Sequence, residues 1–104
     1  ISITRNELDK FNYKPGDSEG FVNYPLSIKG IVFSVIFIEH EEHIKISFRS
    51  KGEFYANHFA MKHFNGGGHR NAAGGYSDKP LNETLKKFEQ ELQKYKEDLL
   101  KCRV

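Results

Sequence analysis

The sequence predicts an α/β domain, α+β by a stricter definition: a mixed β-sheet with a central antiparallel hairpin, covered by helices and closed by a long amphipathic C-terminal helix. Three observations carry that prediction. Residues 31–38 form an apolar run broken only by Ser34, rich in β-branched and aromatic side chains, which suits a strand buried on both faces. Residues 44–50, Ile-Lys-Ile-Ser-Phe-Arg-Ser, alternate strictly, the period of a strand with one buried face. Leu81, Leu85, Phe88, Leu92, Tyr95 and Leu99 recur at spacings of four and three, one stripe of a long helix.

The remaining elements follow in order. Ile1-Ser2-Ile3 alternates as a short strand. Thr4 and Glu7 form a capping box for a short helix reaching Phe11, stopped before Pro15-Gly16. Asp17 or Ser18 can cap a second short helix, which Pro25 interrupts. The polar stretch Glu39-His40-Glu41-Glu42 turns the chain between residues 31–38 and 44–50, making them an antiparallel hairpin. Ile44, Ile46 and Phe48 then face one side; Lys45, Ser47 and Arg49 face the other. Ala56, Phe59, Ala60 and Phe64 place a helix over residues 55–64. Asn65 and the glycines after it end that helix.

Composition bounds the function. The 104 residues suit one domain. With 16 basic and 14 acidic residues, the net charge is +2. That is too balanced for a protein that binds long nucleic acid by bulk charge, so any anion site is local. No apolar run approaches the ~20 residues of a membrane helix. The single cysteine, Cys102, permits neither an internal disulfide nor a cysteine zinc site, and points to a reducing, cytoplasmic setting. A first residue that is not methionine, inside a strand-like segment, suggests a fragment of a longer protein.

One segment is hard to explain by packing: Asn65-Gly66-Gly67-Gly68-His69-Arg70-Asn71. Consecutive glycines cost backbone entropy and belong where the chain turns tightly or a ligand approaches the backbone. Their amides can cradle an anion, and His69 and Arg70 add charge-assisted donors. The alternative is that the glycines only end a helix. The required ending of a Walker loop is absent. Arg49 is the second candidate, on the polar strand face with Lys45 and Ser47. If that face meets the glycine loop, Arg49 and His69 grip one phosphate; otherwise the face is simply solvated. The His40-Glu41-Glu42-His43 run is not a zinc motif, and His58 and His63 read as surface or interface residues. No aspartate cluster, nucleophile elbow or serine triad is visible, so the sequence offers anion binders without a device that activates water.

Gly66-Gly67-Gly68-His69-Arg70-Asn71-Ala72-Ala73-Gly74 resembles the C-terminal, DHH-associated domain of the Asp-His-His phosphoesterase superfamily. Two upstream segments match in order: Asp17-Ser18-Glu19-Gly20-Phe21-Val22-Asn23-Tyr24-Pro25 and Lys45-Ile46-Ser47-Phe48-Arg49-Ser50-Lys51-Gly52. The nearest branch is the bifunctional oligoribonuclease and 3′-phosphoadenosine 5′-phosphate phosphatase proteins. The resemblance implies a substrate-binding lobe that closes on an N-terminal catalytic lobe holding two manganese ions. It implies that Arg49 and Ser50 contact substrate phosphate or sugar, that Gly66, Gly67, Gly68 and His69 contact phosphate near the metals, and that Arg70 and Asn71 support the loop or reach substrate. Ser47, Glu19 and Asn23 are supporting positions. This chain lacks the Asp-His-His motif and the metal-binding aspartates, so the fragment alone is expected to bind no metal and to be inactive, the whole protein being the hydrolase. The expected partners are a short RNA or nucleotide, the catalytic lobe and, in the full-length protein, a second copy; no membrane is expected. Alternative readings are a nucleic-acid-binding module of a single-strand exonuclease, or a lobe of an exopolyphosphatase-like or cyclic-dinucleotide phosphodiesterase.

Overall fold

The computed structural model describes residues 2–3 and 31–101. The two short helices expected within residues 4–25 lie outside these residues, as do Glu19 and Asn23. The sheet is built from β1 (Ser2–Ile3), β2 (Phe33–Glu39), β3 (Ile44–Ser50), β4 (Gly67–His69) and β5 (Ala72–Ser77). Their order across the sheet is β1-β2-β3-β5-β4. β1 runs parallel to β2, and every other pair is antiparallel. Helix α1 (Ala56–His63) joins β3 to β4, and α2 (Leu81–Gln93) and α3 (Lys96–Lys101) follow β5.

The expected hairpin is β2–β3, with Val35 opposite Phe48 and Phe37 opposite Ile46. These side chains face the helices and join Phe54, Phe59 and Phe64 in one core. On the other face of β2, Ile36 and Ile38 are also fully buried, which explains why that strand reads as a continuous apolar run. The core is dominated by aromatics: Phe59 touches Phe33, Phe48, Phe64, Phe88 and Tyr95, with ring centroids 5.2–6.0 Å apart. Leu81, Leu85, Phe88, Leu92, Tyr95 and Leu99 lie against it, so the stripe covers the sheet as expected.

Two features differ from the sequence expectation. The glycine segment is an edge strand, not a loop: β4 and β5 form a second hairpin around the two-residue turn Arg70-Asn71, with His69 opposite Ala72. The long C-terminal helix is two helices. Lys94 and Tyr95 bond back to Glu91 and Leu92, a tightened final turn, and there the Tyr95 hydroxyl meets His63 Nε2 at 2.8 Å. His63 Nδ1 in turn stands 3.2 Å from Glu91. Burial holds the His63 pKa below its ordinary 6.5, against the opposing pull of Glu91. The neutral ring therefore donates from Nδ1 to the carboxylate and accepts the Tyr95 proton at Nε2.

Candidate anion-binding site

The hairpin registers fix which side chains share a face. Ala73 is buried in the core, and a Cβ on Gly75 would press on Phe64 Cβ at 3.1 Å and Phe48 Cε2 at 3.2 Å. Ala72 and Gly74 therefore point away from the helices. Arg49 pairs with Ala72, and Ala72 pairs with His69. Ser34, Arg49, Ala72 and His69 thus form one row across four strands, on one face. Only the methyl group of Ala72 separates Arg49 from His69. In the next row Ser47, Gly74 and Gly67 lie side by side, so the backbone itself forms the floor.

Arg49 is anchored on this floor. Its Nη1 donates to the carbonyls of Phe48 at 2.8 Å and Ala73 at 3.2 Å. Two backbone acceptors orient the planar guanidinium and lower the entropy it would lose on gripping an anion. His69 is exposed at the sheet edge. Ser47 is buried beneath the row, not solvated.

The glycines divide by task. Asn65 has φ 51, the left-handed conformation that ends a helix and that asparagine tolerates. It lets the Gly66 N–H return to the Ala60 carbonyl at 3.0 Å. A Cβ on Gly66 would run into the Gly74 carbonyl and lie 2.7 Å from Gly75 Cα, so close strand approach requires glycine there. Gly68 has φ 141, and a Cβ would sit 2.8 Å from the Ala72 carbonyl. Gly67 has room, with only Met61 Cγ at 3.7 Å.

Ser50 and Asn71 are scaffold. The Ser50 Oγ accepts from the Ala56 N–H at 3.2 Å and from Asn71 Nδ2 at 2.9 Å. It thereby caps α1 from a neighbouring strand, because Tyr55 at the N-cap position makes no side-chain cap. The Asn57 N–H goes to the Arg70 carbonyl at 3.4 Å. Asn71 Nδ2 also faces the carbonyls of Gly52 at 3.2 Å and Phe54 at 3.5 Å. Arg70 is exposed, its guanidinium 5.4 Å from the centroid of the Tyr55 ring. These bonds tie the Arg70-Asn71 turn to the start of α1 and fix where His69 emerges. Loop support is one of the two roles expected of Asn71; its staple to Ser50 is not foreseen, and the signal for it is a serine ending β3 and an asparagine just before β5, the strand that pairs with it.

The donors here are a guanidinium, an imidazole, amide and hydroxyl groups, a set that suits an anion. Among the described residues no three His, Cys, Asp or Glu side chains converge to hold a metal ion. No described helix is long and apolar enough to cross a membrane.

Comparison with known proteins shows the family. Residues 2–98 match the DHHA1 domain family. The chain is 36% identical over 74 residues to the bifunctional oligoribonuclease and PAP phosphatase NrnA of Bacillus subtilis, covering 71% of this chain and 23% of that protein. It is 43% identical over 58 residues to the protein of the same name from Thermus thermophilus, covering 56% and 18%. Its fold superposes on the crystal structure of an exopolyphosphatase-related protein from Bacteroides fragilis with a TM-score of 0.89 and 55% identity, covering 95% of this chain and 29% of that one. The chain thus spans about a quarter of the length of these relatives. With residues 2–98 matched, this chain belongs to the DHHA1 domain family, and the proteins it resembles are members of the DHH superfamily.

Proposed function

We propose that this chain is the substrate-binding lobe of a cytoplasmic, manganese-dependent phosphoesterase that hydrolyses short oligoribonucleotides or adenosine 3′,5′-bisphosphate. The observation that carries it is the Ser34–Arg49–Ala72–His69 row, which sets an anchored guanidinium and an exposed imidazole on one face over a backbone floor. Arg49 supplies paired N–H donors to phosphate oxygens, and His69 a second donor from the sheet edge. The residues that hold metal belong to a catalytic lobe contributed by the rest of the protein. Metal there supplies Lewis-acid activation of water; this lobe binds and orients the phosphate. Glu19 and Asn23 are assigned a supporting role on the family pattern alone.

The test is hydrolysis by the whole protein. His69→Ala should lower kcat/KM by about a hundredfold on both substrates, with unchanged thermal melting. Full activity in that variant overturns the assignment. The 55% identity to an exopolyphosphatase-related protein favours inorganic polyphosphate as the second reading. Tripolyphosphate that out-competes adenosine bisphosphate for this chain would select it.

A further inference from the structure

Four residues along β3 from Arg49, Lys45 stands directly across from Tyr76 of β5. Both are exposed. Tyr76 keeps 50% of its surface in solvent and, with Met61, is one of two large hydrophobic side chains so exposed among the described residues. Tyr76 has the same parity as Ala72 and Gly74, so it stands on the face of Arg49 and His69. Between them lies the Ser47–Gly74–Gly67 row, in which the two glycines raise no side chain. The face therefore presents an aromatic plate, a backbone floor and then the two anion donors. At about 3.4 Å per residue, Tyr76 lies about 14 Å along the strand from Ala72.

Charge is arranged along the same strip. Lys45, Arg49 and His69 border it, while Glu41 and Glu42 in the β2–β3 turn and Asp78 after β5, with Lys79 beside it, stand beyond Lys45 and Tyr76. A polyanion is thus attracted along the strip and opposed where it ends.

We propose that Tyr76 and Lys45 form a second nucleotide subsite, distinct from the phosphate grip of Arg49 and His69. The Tyr76 ring stacks on a base of single-stranded RNA, and the Lys45 ammonium pairs with the adjoining phosphate. The occupant is a nucleotide further along the strand than the one at Arg49, so the subsite rests on the function proposed above and selects oligonucleotides over mononucleotides. The carboxylates beyond it set a length limit: once a base covers Tyr76, further nucleotides add nothing.

The test is a binding series on this 104-residue chain with labelled oligoadenylates of two, four and eight nucleotides at fixed salt. Affinity should rise from dimer to tetramer and then level off. Tyr76→Ala should weaken the tetramer by about tenfold, to the level of the dimer, and leave the dimer unchanged; Tyr76→Phe should keep the gain. His69→Ala should weaken both lengths. If Tyr76→Ala binds the tetramer as the parent does while His69→Ala still weakens both, the subsite is overturned and the phosphate site stands. If His69→Ala changes neither length, or no oligoadenylate binds, the phosphate reading falls and the subsite with it. Affinity that keeps climbing to the octamer also overturns the proposal.

Discussion

The Asn71 side-chain nitrogen lies 2.9 Å from the Ser50 hydroxyl oxygen, 21 positions away in sequence. Together with the bond from the Ser50 N–H to the Asn71 carbonyl at 3.0 Å, this contact joins the end of β3 to the tip of the β4–β5 hairpin, and both side chains also hold other groups. Asn71 has two N–H hydrogens and three oxygens around it, from Ser50, Gly52 and Phe54.

Asn71→Ala should therefore cost about 2 kcal/mol, the penalty of leaving part-buried acceptors unpaired. Asn71→Asp should cost more, since it sets carboxylate oxygens against the carbonyls of Gly52 and Phe54, with only the Ser50 hydroxyl able to turn and donate. Urea denaturation of both variants checks the order. An aspartate variant as stable as the parent would remove the staple from the account.

Two adjacent glycines should respond in opposite ways. Gly66→Ala should disrupt the β5 approach and unfold or severely destabilise the domain, because its Cβ meets backbone that cannot move aside. Gly67→Ala should change stability by less than about 0.5 kcal/mol, since it meets only a flexible methionine end. Melting curves decide, and equal effects would contradict the strand geometry.

Arg49→Lys tests the guanidinium geometry. Lysine keeps the charge but loses the planar fork: the same nitrogen that anchors on the carbonyls of Phe48 and Ala73 would also have to meet the phosphate. Adenosine bisphosphate binding should weaken by about tenfold. Titration followed by amide shifts at His69 measures it; unchanged affinity would mean that charge alone suffices.

Acid should loosen the contact between α1 and the C-terminal helices. Burial lowers the His63 pKa in the folded state, so as pH falls through the ordinary 6.5 the unfolded chain takes up a proton first. Stability is full above that value and is lost as pH falls toward the folded pKa. His40 shifts in the same direction, through burial and the charges of His43 and Lys45. Lys62, Lys87 and Lys94 add to the effect at His63, and Glu91 opposes it. His63→Gln should flatten the fall in melting temperature between pH 7 and pH 5. An unaltered slope would assign it to other groups.

Side-chain patterning made much of this fold legible. The β2–β3 hairpin, α1 and the apolar stripe all announce themselves by periodicity, and the shared face of Arg49 and His69 follows once the glycine segment is placed. What hid was backbone. β4 and β5 carry Gly67, Gly68, Gly74 and Gly75, residues depleted in strands and without side chains to alternate. The small pair Ala73 and Gly75 facing the core, with a two-residue turn before Ala72, was the available signal. The break at Lys94 and Tyr95 has no proline or glycine to mark it. It coincides with the His63–Tyr95 bond, a tertiary contact that no local pattern encodes.

The brevity of β4 has a consequence for the molecule in solution. A sheet margin with free N–H and C=O groups invites another chain to add to it and begin a fibre. Here that margin is three residues long, and at Gly68 its backbone leaves the regular extended path. A foreign strand would find too few aligned groups to pair with. The irregular backbone at Gly68, next to the bare floor of the site, thereby also protects the domain against polymerising.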